Sequence, residues 1–180
     1  MEKTLKQYDD IVVKCRDIYT KKTTDYGTSW RILRPSSITD QLFIKARRIR
    51  SIEEHGEQKI ADSITGEFMG LVNYCAIGLI QLQATDNQAL ELDHKVAVQL
   101  YNQKIDETRT LMMAKNHDYG EVWRDMRVSS MTDLILQKLL RVKQIEDNKG
   151  STLISEGIDA NYQDIINYSI FALILLSENK

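Results

Sequence analysis

Lys22-Thr-Thr-Asp-Tyr-Gly-Thr-Ser-Trp-Arg31 returns 93 positions later as Lys115-Asn-His-Asp-Tyr-Gly-Glu-Val-Trp-Arg124. The likeness continues C-terminally: Arg34, Ser36, Ser37, Thr39, Asp40, Lys45, Arg48, Ile52 and Glu53 recur as Arg127, Ser129, Ser130, Thr132, Asp133, Lys138, Arg141, Ile145 and Glu146. Residues 22–53 thus hold 15 identities in 32, where average residue usage supplies about two by chance. The chain is internally duplicated, and a residue kept in both halves while its neighbours changed is constrained by packing or by chemistry.

One proline and eight glycines in 180 residues argue for helices, and the apolar spacing agrees. The pattern predicts helices over 5–21, 37–54 and 58–83, with an ordered loop over 23–35. The second copy repeats the plan: a helix to 114, one opening at Ser130 and a last one over 152–178. Ser37 followed by Asp40, and Ser130 followed by Asp133, have capping-box spacing. A period near 93 exceeds the roughly 20–50 residues of solenoid repeats and reads as two fused subunits of an ancestral dimer. The fold expected is all-α: a six-helix globule of two three-helix repeats, 1–86 and 94–180, related by a pseudo-twofold axis.

A net charge of −2 gives no bulk electrostatic reason to expect nucleic acid or a membrane as partner. Cys15 and Cys75 face Thr108 and Ser169 in the other copy, so neither belongs to the duplicated plan, and a reduced cytoplasmic protein is expected. The N-terminal stretch lacks the apolar core of a signal peptide, and the uncharged run from Phe68 to Thr85 carries enough amide and glycine to read as a buried helix.

The positions open to chemistry lie on the second and third helices. Lys45 stands between Ile38, Leu42, Ile49 and Ile52, and Lys138 between Met131, Ile135, Val142 and Ile145, so each lysine interrupts an apolar stripe. Such a lysine either snorkels to solvent or meets a carboxylate or phosphate. Arg48 and Arg141, one turn on, either extend a phosphate-binding strip or pair with nearby acids. Asn73-Tyr74 and Asn167-Tyr168 sit in nearly apolar runs, so the asparagines are expected to be buried and hydrogen-bonded across the bundle. Just upstream the copies diverge: Glu67 faces Asn161, and Gly70 faces Asp164. Trp30 and Trp123, the two tryptophans of the chain, either plug their units or offer a base a stacking platform. The cap serines beside Arg34 or Arg127 are simple helix caps or a phosphate seat. No histidine is duplicated, no spacing suggests zinc, and neither a phosphate loop nor a nucleophile elbow occurs.

The string Lys-x-x-Asp-Tyr-Gly-x-x-Trp, then Lys-x-x-Arg, then Asp-x-x-Asn-Tyr resembles the nucleotide modification associated domain 1 family, a helical domain that also occurs in tandem. The second copy carries the pattern in full, through Lys115, Asp118, Tyr119, Gly120, Trp123, Lys138, Arg141, Glu156, Asp164, Asn167 and Tyr168; the first has Gly70 where the acid belongs. A weaker likeness is to the all-helical nucleoside triphosphate pyrophosphatases of the MazG and dimeric dUTPase type. Their paired acids are similar to Glu54 and Glu57 followed by Glu67, although neither half holds the full set.

The resemblance implies a nucleotide-binding helical protein, with magnesium-dependent phosphohydrolysis as its catalytic form. Asp164, Glu156 and Glu67 would hold the metal, with Asp164 and Glu156 at the reaction centre. Lys138 and Arg141, with Arg127, Lys45 and Arg48, would bind phosphate, Trp123 or Tyr119 the base, and Asn167 would line the site. Because only the second copy keeps Asp164, one competent site is expected there and a degenerate first copy beside it. The expected partner is a nucleotide or another phosphate-containing small molecule, and a homo-oligomer is compatible with the plan. The alternative is a non-catalytic interaction module in which a Lys138–Asp164 pair holds the bundle together.

Overall fold

In each half a long amphipathic helix, a second amphipathic helix and an almost wholly apolar third helix follow one another. The computed structural model describes residues 1–56, 63–85 and 87–179, and all regular structure among them is helical. The elements are α1 (Glu2–Tyr26), α2 (Pro35–His55), α3 (Ile64–Leu82), α4 (His94–Tyr119), α5 (Val128–Asp147) and α6 (Ile158–Glu178). A single 3-10 turn precedes α2 (Ser29–Ile32) and another precedes α5 (Val122–Asp125). No helix is long and apolar enough to cross a membrane among the described residues.

Helices apolar on all sides belong at the centre, and α3 packs on α6 more extensively than any other pair. Leu71, Val72, Cys75 and Ala76 of α3 and Ile165, Ile166, Ile170 and Ala172 of α6 are fully buried. The amphipathic α2 lays Ile38, Leu42, Ala46 and Ile49 on α3 and α5, and α5 presents Met131, Ile135, Leu139 and Val142 in return. Each such valine, leucine, isoleucine or methionine contributes about 1.5–3 kcal/mol of burial. α1 and α4 each pack on the third helix of both halves, so the two repeats share one core.

The contacts between halves are reciprocal. The Tyr8 hydroxyl donates to Asn167 Oδ1 at 2.8 Å, and that of Tyr101, its counterpart, donates to Asn73 Oδ1 at 2.7 Å. Asn73 Nδ2 donates to the carbonyl of Cys15 at 3.0 Å and Asn167 Nδ2 to that of Thr108 at 3.4 Å. Lys143 meets Asp40 at 3.3 Å, and Arg50 meets Asp133 at 3.5 Å. The asparagines are buried and bonded across the bundle, as their apolar surroundings required.

Several helix starts differ from the sequence reading, α1 among them, which opens at Glu2 rather than 5. α2 opens at Pro35 with Arg34 at the N-cap, and α5 at Val128 with Arg127 there; neither end has a side-chain cap bond. Proline at the first position suits the start of α2, but α5 opens at the equivalent residue with valine there, and in both the serines lie inside the first turn. The twice-kept residues nearby serve other ends: Thr39 and Thr132 back-bond to residues 35 and 128, and the two aspartates pair across the halves. α6 opens at Ile158, not 152, because Thr152 turns onto the carbonyl of Ser155. α3 opens at Ile64, with the Ser63 hydroxyl accepting from Gly66 N–H; the stretch from Gln58 that was also read as helix lies, to residue 62, outside the described residues. α1 and α4 instead run on through the Asp-Tyr pairs and end at Gly27 and Gly120, whose φ of 65° and 70° suits glycine.

Candidate functional site

The two halves bring the same elements together around the Asp-Tyr-Gly corner but fill the space differently. In the first, α1, the corner, α2 and α3 enclose a cavity of about 670 Å3. Lys22, Tyr19 and Tyr26 line it from α1, Trp30 from the 3-10 turn, Lys45 from α2, and Glu67, Gly70, Asn73, Tyr74 and Ile77 from α3. That volume lies in the range of small-molecule sites. Lys45 lies 5.4 Å from the centre of the Tyr74 ring and 3.6 Å from Glu67, while Arg48 closes on Glu67 at 2.5 Å. Lys22, exposed at the cavity wall, has no hydrogen bond or ion pair among the described residues.

Gly70 is what leaves room. A Cβ built there would come within 3.2 Å of the Lys45 side-chain end. In the second half this position is Asp164, 6 % exposed. Its two oxygens accept from Lys115 at 2.6 Å and Lys138 at 2.7 Å, the counterparts of Lys22 and Lys45. Burial pushes the Lys115 ammonium down, but its bond to Asp164 and the charges of Asp164 and Glu156 more than offset this, leaving it above the ordinary lysine value. The indoles differ as well. Trp123 is 4 % exposed and stacked on Phe171 at 4.2 Å, whereas Trp30 faces Ile77 across the open cavity.

The residues assigned to a site from sequence are therefore divided. Lys138 and Asp164 join in a largely buried ion pair with Lys115. Arg141 and Glu156 are exposed and line a separate open depression of about 1050 Å3 with Asn161. Tyr119 is 73 % exposed, Arg127 is exposed at the start of α5, and Trp123 and Asn167 are core residues. Lys138 and Asp164 do not line that depression, but Glu156 stands near enough to Lys115 for its charge to act there. In the first half Lys45 reaches the cavity, and Arg48 instead holds Glu67 in place. Lys22 was visible as a twice-kept lysine and Tyr74 as half of the Asn-Tyr motif; neither was assigned a site role.

Magnesium places a further demand on the carboxylates. Among the described residues no three His, Cys, Asp or Glu side chains group as metal ligands. Glu67 and Asp164 are each engaged by two cationic side chains. This donor set does not fit a resident divalent cation. Glu57, part of the pyrophosphatase-like pattern, lies outside the described residues.

A family model described as nucleotide modification associated domain 1 matches residues 22–82 and again 115–176. No curated protein matches the chain. No solved structure matches it either.

Proposed function

The chain belongs to the nucleotide modification associated domain 1 family, and on that premise we propose that it binds a nucleotide in the cavity of its first repeat. The observation that carries the reading is the wall composition: two lysines and four aromatic side chains, Tyr19, Tyr26, Trp30 and Tyr74, face one another across about 670 Å3. Ammonium groups suit phosphate, and aromatic faces suit a base, since stacking of a base on an aromatic side chain contributes about 1–3 kcal/mol. Lys22 and Lys45 hold the phosphate and Trp30 stacks on the base, with Asn73 fixed by its bonds to Tyr101 and Cys15 at the floor. Magnesium, in this reading, arrives with a polyphosphate rather than residing on the protein. The second repeat, with its lysines already paired to Asp164, serves as packing partner.

Thermal melting with a panel of ribo- and deoxynucleotides, each with and without magnesium, tests this. A ligand that binds only the folded chain at a hundred times its Kd stabilises by about 2.7 kcal/mol and must raise the midpoint. No shift with any nucleotide overturns the reading. Phosphate release, followed in the same samples, separates turnover from binding.

A further inference from the structure

The second repeat shows what a phosphate does in the first. Asp164 places a buried carboxylate between two lysines, at 2.6 and 2.7 Å, one of them largely buried and the other partly exposed. The corresponding lysines of the first repeat face a cavity beside bare backbone at Gly70, where a side chain would touch Lys45. The acid has not been lost from the first repeat but moved by three residues: Glu67 has Asn161 as its counterpart, and it takes Arg48 and, at longer range, Lys45. One helical turn along α3 separates the two positions. Among the described residues Lys22 thereby has no acid to match the one its counterpart Lys115 holds.

We infer that Asp164 is a built-in ligand standing where a phosphate group stands in the first repeat. An oxyanion bridges Lys22 and Lys45 against Gly70, and the second repeat is the same anion site held shut by its own carboxylate. The inference rests on the proposed function for its ligand class and adds the position of the phosphate and a latent second site. The bridging geometry suits an oxyanion, because two oxygens of one small group can each accept from a different ammonium. Acid at the third-helix turn then decides the outcome. At position 164 it satisfies both lysines; at position 67 it holds the arginine and frees a lysine for ligand.

Titration calorimetry with inorganic phosphate on the full chain tests this without requiring the base. The wild type is expected to bind one phosphate and Gly70→Asp none, since the new carboxylate rebuilds the bridge. Lys22→Met and Lys45→Met each lower affinity at least tenfold. Asn161→Glu/Asp164→Gly moves the acid of the second repeat to the turn used in the first and keeps the charge constant, and it is expected to bind two. Should that variant not fold, Gly70→Asp decides alone, because the three atoms nearest a Cβ at that position all belong to the flexible end of Lys45. One phosphate in the folded double variant, or undiminished binding in Gly70→Asp, overturns the inference while leaving nucleotide binding standing. Nucleotides that raise the melting midpoint while wild type takes up no phosphate do the same. Silence from phosphate and from every nucleotide removes both.

Discussion

The two repeats hold the same three cations at corresponding positions and differ in where one acid stands. In the first, Glu67 faces Arg48 and Lys45; in the second, Asp164 faces Lys115 and Lys138. An aromatic exchange accompanies the shift. Phe171 covers Trp123, whereas its counterpart Ile77 leaves Trp30 on a cavity wall. The frame tolerates this because its own bonds, Tyr8 to Asn167 and Tyr101 to Asn73, lie elsewhere and are kept in both directions. A duplicated chain can thus open one half and close the other by moving a charge one turn and trimming one ring.

The sharpest way to break the comparison is to neutralise the two acids. Asp164→Asn leaves Lys138, whose side chain is 13 % exposed, without its partner, and removing one member of such a buried pair costs about 3 kcal/mol. Glu67→Gln is expected to cost less, about 1–2 kcal/mol, because a charged hydrogen bond is lost while Lys45 and Arg48 keep access to water. Urea unfolding of both variants reads the difference. Equal losses would remove the distinction between a sealed and an open half.

The shared frame makes the opposite demand. Asn73→Ala and Asn167→Ala each leave a buried tyrosine hydroxyl without its acceptor, at about 1–3 kcal/mol apiece. Their costs should agree within about 0.5 kcal/mol, and the two should not be additive if the reciprocal bonds brace one another. A marked inequality in the denaturation midpoints would show that the halves do not share one frame.

How much of this was legible in the sequence follows from what a sequence records. The six helices, the buried asparagines and the interrupting lysines could be read because they rest on identities and periodicity. Helix starts could not: α2 and α5 both open with an arginine at the N-cap, α5 without any proline, and a capping-box pattern does not show whether its serine sits one turn too deep. Which corner stands open could not be read either, for a related reason. Gly70 reads as a lost acid in a string of letters, but in three dimensions a missing side chain is space, and Asp164 is an acid already spent on two lysines. Family membership, shown by matches over both repeats, could be read from the motif; the occupancy of each corner could not.

A smaller effect sharpens the aromatic side of the contrast. Ile77→Phe should let a ring stack on Trp30 as Phe171 stacks on Trp123, adding about 0.5–1.5 kcal/mol. Acrylamide quenching of Trp30, read in a Trp123→Phe background, should fall as the indole is covered, and nucleotide binding should fall with it. Unchanged quenching would mean that the open indole is not set by the residue at position 77.

The smallest expected effect concerns a pair on which the halves agree. Burial raises Glu53 above the ordinary glutamate value of 4.5, against a hydrogen bond from Thr132 that lowers it. Glu146 is raised in the same way by burial, against its bond from Thr39 at 3.2 Å. A carboxyl raised on folding binds its proton more tightly in the folded chain, so its contribution is full below pH 4.5 and is lost as the pH rises through the folded value. Glu53→Gln and Glu146→Gln, uncharged at every pH, should each remove about half of that loss in melting midpoints followed upward from pH 4.5, because the two contacts are reciprocal. Both glutamates are only half-buried and water screens them, which holds the effect below that of the ring substitution. Should one variant remove the whole slope and the other none, the asymmetry of the corners would extend to the helix contact where their surroundings are most alike.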